Sequence, residues 1–216
     1  MLLLLAVWGF AEVADEVLEG ESQRLDEWVL RAVRGAGQPA GPSWLGNAAR
    51  DVTALGSAAV LGLVSAISLG YLAIQRLWGA CLLVLAALGG AGAASQLLKG
   101  LFERERPAVV PHLDHVGTYS FPSGHSMMSA AVYLTLGALL ARTVARRRLE
   151  VYVLVVALGL TLLVGASRVY VGVHYPTDVV AGWLGGLAWA SLCWTVAFWL
   201  QARGRLEEAA AEDEPP

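Results

Sequence analysis

Long uncharged runs at 52–75, 77–98, 126–141, 151–167 and 179–202 alternate with short charged segments along this chain. A helix that crosses a bilayer needs roughly 17–25 apolar residues. Three of the runs exceed that easily, and those at 126–141 and 151–167 reach it with their flanks. Hydrocarbon offers no partner to a bare N–H or C=O, so continuous runs of this length predict helices. Barrel strands would show short alternating segments, and none is visible.

The N-terminus is apolar from Met1 to Ala11 and then turns acidic at Glu12, Asp15, Glu16 and Glu19. A signal peptide would begin with a basic region, which is missing here. The expectation is a short first span within 1–19, continued by amphipathic turns; a truncated start would look the same. Residues 20–50 place Leu25, Trp28, Val29, Ala32 and Val33 at helical spacing among Arg24, Asp26, Glu27, Arg31 and Arg34. That pattern predicts an amphipathic helix at the membrane interface, or a plain connecting helix, ended by the segment Gly35 to Pro42. The fold class expected is all-α: a polytopic membrane bundle of about six transmembrane helices. It forms one domain over 1–206, followed by a disordered acidic tail at 207–216.

Composition agrees with a membrane protein. Of 216 residues 56% are hydrophobic and 15% charged, against about 25% charged in soluble domains, and the mean hydropathy is +0.57. The net charge of −3 gives no footprint for nucleic acid. Cys81 and Cys193 lie inside apolar runs, with neither a disulfide framework nor metal spacing. Gly89, Gly90, Gly92 and Ala93, and the pair Gly182 and Gly186, are small enough for close helix approach. Trp44, Trp78, Trp183 and Trp199 fall near span ends, as interfacial aromatics do.

The charged residues at span ends carry the candidate chemistry. Lys99 follows the run at 77–98, His125 precedes the run at 126–141, Arg168 follows the run at 151–167, and His174 and Asp178 open the last run. Parity puts all of them on one membrane face. The short turn after 141 holds Arg142, Arg146, Arg147 and Arg148. Short arginine-rich loops stay cytoplasmic, which puts the other face outside, in a multi-pass plasma-membrane protein. Lys99, Arg106 and Arg168 suit a cationic clamp for a phosphate, although a single span-end cation often only snorkels to the headgroups. Pro122, Ser123 and Gly124 open a helix N-terminus, a ready anion site. His174 and Asp178, four apart with Pro176 between them, suit a histidine whose tautomer a carboxylate fixes. A helix-capping aspartate beside an interfacial histidine has the same spacing. His112, Asp114 and His115 are the one rival cluster for a metal, at a spacing that fits no standard site. Glu103 and Glu105 read as solvated rim charges.

The stretches Lys99 to Pro107 (KGLFERERP), Pro122 to His125 (PSGH) and Ser167 to Asp178 (SRVYVGVHYPTD) resemble the type 2 phosphatidic acid phosphatase family, whose fold is shared with vanadium haloperoxidases. Its pattern, K-x6-R-P, P-S-G-H and S-R-x5-H-x3-D, is filled at every position. The resemblance covers roughly 50–200, and Asp51 to Ser57 (DVTALGS) also looks like bacterial members. It implies a phosphatase acting on a lipid phosphate or diphosphate in a membrane, with no cofactor and no metal. By that resemblance His174 attacks phosphorus, Asp178 orients it, and His125 protonates the leaving oxygen. Lys99, Arg106, Ser123, Gly124 and Arg168 then hold the phosphate. The substrate class is undecaprenyl diphosphate, phosphatidylglycerol phosphate or phosphatidic acid. A lipid phosphotransferase, a vanadate-dependent haloperoxidase and a non-catalytic lipid-binding protein are the alternatives. Oligomeric state stays open.

Overall fold

The computed structural model describes residues 1–35, 42–114 and 116–212, with no account of side chains at 43 and 204–212. Among the described residues the regular elements are all helices, in the order α1 (Leu2–Leu18), α2 (Gln23–Arg34), α3 (Ser43–Ala54), α4 (Ala58–Ile74), α5 (Trp78–Leu85), a π turn (Ala86–Gly90), α6 (Ala91–Phe102), α7 (Gly124–Ala141), α8 (Arg147–Tyr170) and α9 (Pro176–Glu212). Among them, the stretches 78–102, 124–141, 147–170 and 176–203 are long and apolar enough to cross a membrane. The pair α3 and α4, bent by 45°, adds a fifth if joined. Helix α1 has 17 residues, a rise of about 26 Å, and brings the bundle to about six spans. Helix α9 reaches Glu212, inside the expected tail at 207–216, and 213–216 lie outside the described residues.

The expected run at 52–75 is not one helix. It breaks at Leu55–Ser57, where Ser57 caps α4 by accepting from the Val60 N–H at 3.2 Å. Gly56 makes the corner possible, since a Cβ there would lie 2.4 Å from Val164 Cγ1 and 3.3 Å from His125 Cβ. The corner is thereby seated against α8 and the start of α7.

Packing follows small residues. A Cβ on Gly186 would lie 2.3 Å from the Met127 carbonyl oxygen, and one on Gly182 would lie 2.7 Å from that of Ser123. The glycine pair therefore lets α9 lie directly on α7, which is how apolar helices gain contact where lipid removes the hydrophobic drive between them. At the π turn the helix widens, and the Ala86 carbonyl accepts from Trp189 Nε1 at 2.9 Å. Outward faces are apolar: Leu63, Ile67 and Tyr71 on α4, and Tyr152, Val155, Leu158 and Leu162 on α8, are exposed. Trp44, Trp78 and Trp199 are exposed as expected of interfacial aromatics. Trp183 departs from that expectation: it lies against Gly165 and donates to the Thr161 carbonyl at 3.0 Å. It is a packing residue between α8 and α9.

Helix α2 is amphipathic as its sequence predicts, and its burial runs opposite to a soluble helix. Leu25 and Trp28 are exposed, while Ser22, Asp26, Leu30 and Arg34, four residues apart, face the protein. The outer stripe suits lipid, and the inner stripe lies on the loops that hold the site.

Candidate active site

All the sequence-predicted site residues sit at the same end of the bundle. Lys99 is in the last turn of α6, Ser123 caps α7, Arg168 is in the last turn of α8, and Asp178 is in the first turn of α9. Two devices bring these ends together. Gly172, at φ +81°, turns the chain out of α8 toward His174, a conformation that β-carbon sterics disfavour. The Ser123 N–H donates to the Asp178 carbonyl at 2.9 Å, which joins the PSGH segment to α9.

His174 is buried to 2% exposure. Its Nδ1 lies 3.3 Å from Asp178 Oδ2, and its Nε2 lies 3.3 Å from Arg106 Nη1. A guanidinium only donates and a carboxylate only accepts, so the partners assign the proton to Nδ1 and the lone pair to Nε2. Burial holds the His174 pKa well below its usual value, and the nearby Arg106, Arg168, Lys99 and His125 push it the same way. The imidazole is therefore neutral at physiological pH, the form with a lone pair to give.

The cations frame the lone pair. Arg106 is fixed by the carbonyls of Thr118 (Nε, 2.7 Å) and Val173 (Nη1, 2.7 Å). Burial, then the neighbouring Arg168, lowers its pKa to about 10, which leaves it charged at neutral pH. Lys99 Nζ donates to the Tyr119 carbonyl, which also accepts from Arg106 Nη2 at 3.3 Å. Arg168, 1% exposed, pairs with Asp114 at 3.1 Å, and its Nε has no hydrogen-bond partner. A cleft of about 620 Å³ opens beside Gln96, Lys99, Gly100, Arg104, Arg106 and Tyr119.

His125 lies one residue into α7, half-buried, against the Gly56 corner and within the fields of Arg168, Asp114, Arg106 and Lys99. Gly124 lets α7 approach α6: a Cβ would stand 3.2 Å from Ser95 Oγ and 3.8 Å from Lys99 Cε. Ser123 is fully buried, and its hydroxyl accepts from Ser126 Oγ at 3.0 Å. With its N–H given to Asp178, Ser123 keeps only its hydroxyl proton for an anion.

The rival metal cluster is not assembled among the described residues. His112 Nε2 lies 2.6 Å from the Pro107 carbonyl and Asp114 is paired with Arg168, while His115 lies outside the described residues. Glu103 and Glu105 are exposed rim charges.

Two residues escaped the sequence argument. Arg104 Nη1 donates to Asp178 Oδ1 at 2.6 Å and Nη2 donates to Asp26 Oδ2 at 2.8 Å. Asp26 also accepts from the Thr177 N–H at 3.0 Å and its hydroxyl at 2.6 Å, so a residue of α2 caps α9. Both carboxylates are fully buried and Arg104 is 11% exposed. A readable signal exists in Glu103-Arg104-Glu105-Arg106, where charge alternates with period two; an extended stretch sends such residues to opposite sides.

The arrangement gathers a neutral, tautomer-fixed histidine, a second histidine and three cations at one end of the bundle, close enough to act on one another electrostatically, which is equipment suited to phosphoryl transfer. Comparison with known proteins agrees. The chain is 36% identical over 169 residues to phosphatidylglycerophosphatase B of Bacillus subtilis, covering 76% of this chain and 79% of that one. It is 35% identical over 167 residues to decaprenylphosphoryl-5-phosphoribose phosphatase of Mycolicibacterium smegmatis, covering 75% and 83%. The crystal structure of the transmembrane PAP2 type phosphatidylglycerolphosphate phosphatase from Bacillus subtilis superposes with a TM-score of 0.82 at 29% identity, covering 90% of this chain and 95% of that one. Residues 78–202, more than half of the chain, match the PAP2 superfamily. With the same residues contributing both the membrane helices and the cation-lined histidine, this chain belongs to the PAP2 superfamily and is a membrane lipid phosphatase.

Proposed function

We propose that the chain hydrolyses a lipid phosphate or diphosphate through a phosphohistidine at His174, with phosphatidylglycerol phosphate the first substrate to test. Undecaprenyl diphosphate and phosphatidic acid are the other members of the class. The observation that carries this reading is the His174 imidazole, with Nδ1 on Asp178 and Nε2 facing Arg106, both at 3.3 Å. The names of the Bacillus subtilis relatives favour the substrate.

In the first step the Nε2 lone pair attacks phosphorus, and the electron pair of the broken P–O bond leaves with the lipid oxygen. His125 gives that oxygen a proton. In the second step His125 takes a proton from water, the hydroxide attacks phosphorus, and the P–N bond returns its pair to His174. Asp178 stabilises the charge that the imidazole acquires. Lys99, Arg106 and Arg168, with the Ser123 hydroxyl and the Gly124 backbone, hold the phosphoryl oxygens as charge builds on them. The arginine-rich turn Arg142–Arg148 lies at the other end of the bundle, which favours a plasma-membrane protein with its site on the extracytoplasmic side.

The test is inorganic phosphate release by detergent-purified protein across these three lipids, with His174→Ala beside wild type. Release by wild type alone supports the reading; equal release by both removes His174 from the chemistry.

A further inference from the structure

The Asp178 carboxylate has two oxygens with different tasks. Oδ2 faces His174 Nδ1 and accepts from the Tyr175 N–H at 2.9 Å. Oδ1 accepts from Arg104 at 2.6 Å. The plane of the carboxylate, and with it the direction in which Oδ2 meets the imidazole, is set by what holds Oδ1. Arg104 is in turn held by four further groups, the first being Thr177 Oγ1, which accepts from Nη1 at 2.8 Å. Asp26 takes Nη2 at 2.8 Å, Gln23 Oε1 lies 3.4 Å from the same nitrogen, and the guanidinium carbon stacks 4.3 Å from the Tyr175 ring centre. Gln23 also donates to the Tyr175 hydroxyl at 3.1 Å. Gln23 and Asp26 belong to α2, which carries none of the family motifs.

We propose that Arg104 and Asp26 are positioning residues for the reaction. The fork of Arg104 ties Asp178 to α2 and so fixes the angle and the charge with which Asp178 meets His174. This rests on the reading of His174 as nucleophile. A fork is needed because the two carboxylates belong to different helices and each takes a different nitrogen. A lysine offers one point charge and cannot bridge both in the same geometry. Sharing the cation also matters for charge. Arg104 divided between two carboxylates leaves Asp178 with negative charge to offer the imidazole as it becomes cationic. Paired with Asp178 alone, Arg104 would neutralise it.

Two variants separate positioning from structural support. Asp26→Asn keeps the shape and an oxygen that accepts from the Thr177 N–H, so α9 stays capped, but removes the charge that shares Arg104. Arg104→Lys keeps the charge and loses the fork. Both are expected to fold, to lower kcat by about 10- to 100-fold, as small misplacements of reacting groups do, and to leave KM within about 2-fold, since Asp26 lies off the cleft and Arg104, although it borders the cleft, gives both terminal nitrogens to carboxylates. Phosphohistidine trapped during turnover should fall with kcat. A third variant, Arg104→Gln, leaves the Asp178 charge unopposed on its Oδ1 side. His174 is faced by Asp178 from α9, Arg106 from the loop, Arg168 from α8, Lys99 from α6 and His125 from α7. Removing the positive charge of Arg104 makes His174 easier to protonate, so the acid limb of kcat/KM moves to higher pH.

The experiment is a kcat, KM and pH-profile comparison of these variants with wild type, on whichever lipid wild type hydrolyses, with thermal unfolding measured on the same preparations. Loss of kcat at unchanged KM in Asp26→Asn and Arg104→Lys, with the folded fraction equal to wild type, supports the proposal. Wild-type kcat and pH profile per folded molecule, with only a lower Tm, overturns it and leaves the bridge a structural clamp. His174→Ala is run alongside. If it keeps turnover, the nucleophile assignment falls and this proposal with it; if it is inactive while Asp26→Asn is fully active, this proposal alone falls.

Discussion

The backbone N–H of Ser123 donates to the backbone carbonyl of Asp178 at 2.9 Å, and this one bond couples the helices on which the two histidines depend. His125 is two residues beyond Ser123, and His174 is oriented from Asp178. The distance between His125 and His174 is thus set by how α7 lies on α9. Gly182 and Gly186 set that in turn, because a Cβ on either would strike α7 atoms within 2.7 Å.

Gly186→Ala tests this coupling. Its new methyl would stand 2.3 Å from the Met127 oxygen and 2.6 Å from Ala130 Cβ, so α7 and α9 must separate. Overpacking of this kind costs about 1–3 kcal/mol. A lower Tm together with a fall in phosphate release is expected, whereas Gly159→Ala, with nothing within 4 Å of its Cβ, should change neither.

Gly172→Ala should act through the backbone. The position has φ +81°, and its Cβ would meet Val110 Cγ2 at 3.0 Å. A left-handed residue with a side chain costs about 1–2 kcal/mol. Thermal unfolding of this variant should show the loss, and kcat should fall because the turn delivers His174.

His174→Ala should lower phosphate release by about 10³-fold or more, as loss of an activated nucleophile does. His125→Ala should lower it less for a substrate whose leaving group needs no proton. Comparing a nitrophenyl phosphate with a lipid phosphate in both variants checks this. Equal losses for good and poor leaving groups would remove His125 from the acid role.

Acid should destabilise the fold through His174. Its folded pKa is depressed, first by burial and then by the surrounding cations, whereas the unfolded imidazole titrates near about 6.5. Below that pH the unfolded chain binds a proton that the folded chain refuses, so stability present above about 6.5 is lost progressively on acidification. Tm measured from pH 7.5 down to pH 5 should fall, and His174→Gln should fall less steeply. Parallel curves would show that His174 takes no part.

EDTA should leave phosphate release unchanged. His112 is already placed against Pro107 and Asp114 against Arg168. Strong inhibition that zinc reverses would instead bring a metal to that loop.

Much of the bundle was legible because hydrocarbon enforces long uncharged helices. The runs at 126–141 and 151–167 look short because charged or polar residues at their ends are helical nonetheless: His125 on α7, and Arg147, Arg148, Glu150 and Arg168 on α8. The corner at Gly56 was not legible: Leu55, Gly56 and Ser57 are uncharged, and only their contacts with Val164 and His125 show why the helix must stop. Asp26 falls among the charged residues of an amphipathic pattern, and spacing alone does not say which of them turn inward. In α2, Asp26 and Arg34 face the protein, while Arg24 and Arg31 stay exposed beside Leu25 and Trp28. Arg104 was hidden inside six unspecified positions of a motif, although its alternation with Glu103 and Glu105 marks it as Arg106's companion.

That reversed helix has a consequence for anyone redesigning the chain as a water-soluble enzyme. The obvious edits replace Leu25 and Trp28, the exposed apolar side chains of α2, with charged ones. Arg31 already forms a surface pair with Glu27 at 2.8 Å on this helix, and new charges beside it give α2 a reason to rotate or lift. Asp26 would move with it, leaving the end of α9 uncapped and Arg104 without its second carboxylate. Cosmetic changes on the oily outside of this short helix would thus be paid for at the histidine.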